Sequence, residues 1–248
     1  MSSFHRRRVL LLVLGVLAAG AAQAAIQVTP MSVTLAADSK GVGKFEVVSQ
    51  SDATQYLKVY VRRVESPGRA DEHEVDATPT NGRDLVAMPQ RLVLPAGATR
   101  MVRLAAQALP EQDAVYRVYV QPVQSPDSDL PAAGDTASAG VQAKVGVSIT
   151  WGVLALVKAR QPSIQLELAD AGKSLRNAGT SRARLETIEY CPTAAAGEQC
   201  RSVELKRNIY PGQVIALPER PASMRTWVVH YRDEDSAVMR KVLEPAAL

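Results

Sequence analysis

An all-β chain of two immunoglobulin-like β-sandwich domains is the fold the sequence predicts. Two successive series of short segments carry that prediction, each alternating apolar and polar residues or rich in Val, Tyr and Leu. Clusters of Gly, Pro, Asp and Ser separate the segments, and helical periodicity is nearly absent. The first series runs 26–35, 43–49, 55–64, 85–94, 99–104, 115–123 and 141–157, the strand count and spacing of one sandwich. Arg160-Gln161-Pro162 interrupts the pattern. A shorter, more polar series follows at 164–168, 173–177, 183–190, 203–205, 213–217, 225–231 and 238–243. A hinge near Arg160 thus divides an N-terminal domain over 25–159 from a C-terminal domain over 160–248.

Residues 1–24 read as a signal peptide. Arg6, Arg7 and Arg8 form a basic start, 9–17 is a short apolar core, and Ala22-Gln23-Ala24 is a small-residue cleavage site. The core is too short to span a bilayer, so export to the periplasm with a mature start at Ala25 is expected, without membrane insertion. The net charge of +4 falls to +1 without those three arginines, because 26 basic residues remain against 25 acidic ones. No basic block survives, which removes the electrostatic basis for a nucleic-acid partner. In an oxidising compartment, Cys191 and Cys200 are expected to pair and close a short loop.

The most informative segment is 141–151, which places Val141, Ala143, Val145, Val147, Ile149 and Trp151 on one face of a strand. Such a strand either closes its own sheet or offers its face and edge to another chain. Chemistry, by contrast, is nearly absent. His73 sits among acids in 71–74 and reads as a solvated loop residue, while His230 reads as an edge-strand residue. No serine-nucleophile elbow, zinc-protease helix, phosphate loop or dinucleotide turn occurs. Catalysis, cofactors and a metal are therefore not expected.

The stretch Leu94-Pro95-Ala96-Gly97-Ala98-Thr99-Arg100-Met101-Val102-Arg103-Leu104 resembles a segment of the periplasmic pilus chaperones of the chaperone–usher pathway, the PapD-like family. There a proline–glycine turn leads into a strand of similar sequence. Residues 86–92 are similar to the family's approach to that turn, and 112–120 to its next core strand. In the second half, 176–180 and 229–233 also resemble family segments, so the likeness spans 25–248 and is tighter in its first half.

The resemblance implies an L-shaped pair of domains whose partners are pilin subunits and an outer-membrane usher. A subunit lacking its final strand would receive the last strand of the first domain, the strand-addition mode of recognition. Val145, Val147 and Ile149 are then the expected inserted side chains, with Val141, Ala143 and Trp151 extending the row. Each Val or Ile so buried is worth about 1.5–3 kcal/mol. The competing expectation is that this face packs in the chain's own core. The family also holds the subunit's C-terminal carboxylate on basic residues between the domains. Ser32 stands where the usual arginine would be, which leaves Lys158, with Arg103 as substitute. Asp113, Arg160 and Asp233 stand closest to the family's buried interdomain salt bridge. These departures resemble a non-classical branch of the family. An exposed strand edge further predicts self-association when unbound.

Two other readings compete. A structural pilus subunit or adhesin would want a short alternating extension directly after the signal peptide, which is missing. An exported carbohydrate-binding module would want an aromatic platform, and the chain has two Trp and 4% aromatic residues.

Overall fold

The computed structural model describes residues 25–132, 148–193, 199–219, 221, 223–233 and 238–244. The first ten strands are β1 (Ile26–Thr29), β2 (Ser32–Leu35), β3 (Val42–Ser49), β4 (Gln55–Glu65), β5 (His73–Asp76), β6 (Leu85–Met88), β7 (Arg91–Leu94), β8 (Thr99–Ala106), β9 (Ala114–Val123) and β10 (Trp151–Val157). One sheet has the order β1-β3-β8-β6. The facing sheet has the order β2-β10-β9-β4-β5, with β7 also on β4. Alternation sends Phe45, Val47, Leu57, Val59, Val118 and Val120 inward, where all are buried between the two sheets.

Prolines divide two runs that read as single strands. β1 pairs antiparallel with β3, whereas β2, just past Pro30, pairs parallel with β10 in the other sheet. Likewise β6 pairs with β8, and β7, just past Pro89, pairs with β4. Proline has no N–H to give a ladder, so each run leaves one sheet there and joins the other. β5 was not expected, because its four residues carry three polar side chains. It pairs with the end of β4 along Arg62–Glu65.

The second half contains β11 (Leu166–Ala169), β12 (Ser174–Asn177), β13 (Ala183–Cys191), β14 (Arg201–Ile209), β15 (Val214–Ala216), β16 (Thr226–Arg232) and β17 (Met239–Leu243). A three-stranded sheet β11-β12-β15 faces a four-stranded sheet β14-β13-β16-β17. Their core is separate from the first and centres on Trp227, Tyr190, Ile188 and Leu175. Gly172, at φ +82°, lies under Trp227, where a Cβ would be 2.5 Å from the indole Cζ2. Cys191 and Cys200 form the expected disulfide across the end of β13. Such a short loop adds about 2–3 kcal/mol. Glu189 stands beside the bridge, but both sulfurs are consumed and leave no thiolate to bind a metal.

Candidate functional site

β10 is the strand on which the site is built. It pairs with β9 along its whole length, from Trp151 opposite Val120 to Val157 opposite Ala114. On its other side β2 reaches only Leu154–Val157. Trp151, Gly152 and Val153 therefore have no strand partner on that side among the described residues. Val153, Ala155 and Val157 are buried in the first core, and Trp151 packs partly against it. Ile149, next along the same alternation, precedes the strand and is 51% exposed. The apolar row thus leaves its own core between Trp151 and Ile149. Val141, Ala143, Val145 and Val147 lie outside the described residues.

The opposite face of β10 looks into the junction with the second sandwich. Leu156 packs with Val64, Val115 and Tyr210, and Leu154 borders that cluster. Gln213 Nε2 donates to the Pro67 carbonyl at 2.6 Å, joining the β4–β5 turn to the second half. Below the cluster, Lys158 Nζ lies 2.7 Å from Asp233 Oδ1 and 3.3 Å from Asp113 Oδ2. The Lys158 side chain is 7% exposed and that of Asp113 0%. The Ala159 and Arg182 amides and the Ser181 hydroxyl also donate to the Asp113 carboxylate. A buried charge is tolerable when its lone pairs are filled in this way.

This geometry revises the assignment of the two basic residues. Lys158, expected as a carboxylate anchor, occupies the bridge between Asp113 and Asp233. Arg160, expected in that bridge, is 63% exposed and reaches only Glu111, at 3.9 Å. The physical reason is where the strand ends. The Lys158 amide still donates to Leu35, whereas that of Arg160 has left the ladder and donates to Pro110. Arg103 is exposed on β8, in the sheet that does not contain β10, with Lys44 and Met88 as its cross-strand neighbours. It is not brought to the junction.

The cation that the fold does bring to β10 is Arg117, which no sequence pattern singled out. It lies on β9, directly opposite Leu154. Its guanidinium is held by Glu74 Oε1 at 2.8 Å and Glu72 Oε1 at 3.0 Å. The Tyr119 hydroxyl donates to the same Glu74 carboxylate at 2.8 Å, and Tyr119 stacks on Tyr60. Burial works against the charge on Arg117, but the hydrogen bonds with Tyr119 and Glu74 outweigh it and hold its pKa above the ordinary value. Alternation on 115–121 could have shown that Arg117 faces away from the core. Which sheet face turns toward the second sandwich is not written in that alternation. His73 opens β5, exposed, and His230 lies 3.2 Å from Glu189 inside the second half's larger sheet.

No protein-family model matches the chain. Over 168 residues it is 30% identical to a CFA/I fimbrial subunit of Escherichia coli, a match covering 66% of this chain and 68% of that one. Among solved structures, the class 5 fimbriae chaperone CfaA superposes with a TM-score of 0.71 at 24% identity, over 89% of this chain and 99% of that one. The chain belongs to the fimbrial chaperone family of the chaperone–usher pathway. A chaperone–tip adhesin complex of CFA/I fimbriae gives the same superposition, with a TM-score of 0.72 at 24% identity over the same shares. Membership of the fimbrial chaperone family sets aside the pilus-subunit and carbohydrate-module readings.

Proposed function

We propose that this chain is a periplasmic chaperone that lends the strand running into β10 to an incomplete fimbrial subunit and passes that subunit to an outer-membrane usher. One observation carries the reading: Trp151–Val153 form a ladder edge without a partner strand among the described residues, continuous with an apolar row that emerges at Ile149. The unpaired edge offers main-chain hydrogen bonds, and the row Val141, Ala143, Val145, Val147, Ile149 and Trp151 offers side chains to an open groove. The action is binding rather than catalysis, and its domains divide at Ala159/Arg160.

The subunit's C-terminal carboxylate is assigned to Arg117. Among the candidates it is the cation beside β10 that is both half-exposed and free of the interdomain bridge. A guanidinium can take a carboxylate through two parallel hydrogen bonds, which Lys158 in its buried bridge cannot.

The test is periplasmic co-expression with the fimbrial subunit encoded beside this chain. Val147→Glu should abolish co-purification of the subunit while circular dichroism of the chaperone stays unchanged. Undiminished recovery of the subunit would remove the lent strand.

A further inference from the structure

Arg117 is neutralised by this chain's own carboxylates before any client arrives, and the two carboxylates are not equivalent. Glu74 is fixed: it also accepts the Tyr119 hydroxyl, and its Oε2 lies 3.7 Å from Arg62 Nε. Its side chain is 19% exposed, against 31% for Glu72. Glu72 is differently held. One of its oxygens meets Arg117, and the other accepts the Gly68 amide at 2.7 Å within the same turn. Glu72 can release Arg117 and keep a hydrogen bond, whereas Glu74 cannot move without stranding Tyr119.

We infer that Glu72 is an exchangeable placeholder on Arg117, displaced by the client's C-terminal carboxylate, while Glu74 and Tyr119 are positioning residues that keep the guanidinium aimed. The inference rests on the assignment of Arg117 as anchor. The chemistry is an exchange of one carboxylate for another, with no bond made or broken. Its energetic sense is direct. An arriving anion next to Arg117, Glu72 and Glu74 meets a cation already paired twice, and like charges held together repel. Once Glu72 swings to Gly68, one positive charge is matched by one fixed negative charge, and the client supplies the second.

This arrangement also selects for a chain end. A client ending in an amide has no charge to replace that of Glu72, so Glu72 stays and the site remains closed to it. The turn that carries Glu72 also gives its Pro67 carbonyl to Gln213, so the placeholder sits on the segment that docks the two halves of the molecule.

The experiment uses the full mature chain and a short synthetic β-strand peptide of alternating Thr and Val behind solubilising lysines, made with a free C-terminal carboxylate and as its C-terminal amide. Isothermal titration of both peptides gives a carboxylate-over-amide preference. Glu72→Gln should raise affinity for the carboxylate peptide about fivefold, the size of one partly exposed ion pair, and leave the amide peptide unchanged. Glu74→Gln should lower the preference, since Arg117 loses its fixed partner. An unchanged or reduced carboxylate affinity in Glu72→Gln, with its urea midpoint intact, overturns the placeholder. If Arg117→Ala keeps the wild-type preference, the anchor assignment itself falls. The two failures are thus separate readings of the same titration.

Discussion

At Lys158 one ammonium meets two carboxylates inside the junction of the sandwiches, and the whole arrangement depends on Asp113. That carboxylate has no exposed surface and gathers Lys158, two backbone amides and the Ser181 hydroxyl. Asp113→Ala leaves a buried cation and two unsatisfied N–H groups, and should cost about 3–5 kcal/mol in urea denaturation. Arg160→Ala, on an exposed side chain, should stay within about 0.5 kcal/mol in the same measurement. Both acids of the bridge were among the residues chosen from sequence. The basic member was misplaced because positions 158 and 160 have the same parity, and alternation cannot say at which residue the strand stops. Arg117 was illegible for a different reason. Its importance comes from the strand beside it and from acids forty-odd residues away, and neither neighbour is visible along its own segment.

At the scale of the element, alternation located nearly every strand, because each buries one face in a sandwich and the period of two follows directly. It did not show that 26–35 and 85–94 each serve two sheets, since Pro30 and Pro89 change the hydrogen-bonding partner without disturbing the apolar pattern. β5 escaped because its ladder is held by charge, with Glu74 paired to Arg117 and near Arg62. In the second half, the short turn after β11 is fixed by close packing. Gly172 has a positive φ and lies under Trp227, so Gly172→Ala meets both backbone strain and a clash with the largest core side chain. The expected loss is about 2–4 kcal/mol, read as a lower melting temperature with reduced near-ultraviolet dichroism from Trp227.

For the whole molecule, the cohesion between the two halves comes from one aromatic ring and a few polar links. Tyr210 packs on Val64, Val115 and Leu156 of the first sandwich while Arg182 lies over its ring, 5.7 Å from the centroid. Tyr210→Ala should weaken this coupling by up to about 3 kcal/mol. Small-angle X-ray scattering should then record a larger radius of gyration, with the strand content of each half retained. An unchanged scattering curve would mean that the Lys158 bridge alone sets the geometry. The parallel pairing of β2 with β10 carries a consequence at this scale as well. The Leu154 amide is already given to the Met31 carbonyl, so any strand sliding down the open side of β10 runs out of vacant rungs at Val153. The first strand of the chain thus works as a depth stop, fixing how far a guest can descend and hence which of its residues comes to rest beside Arg117.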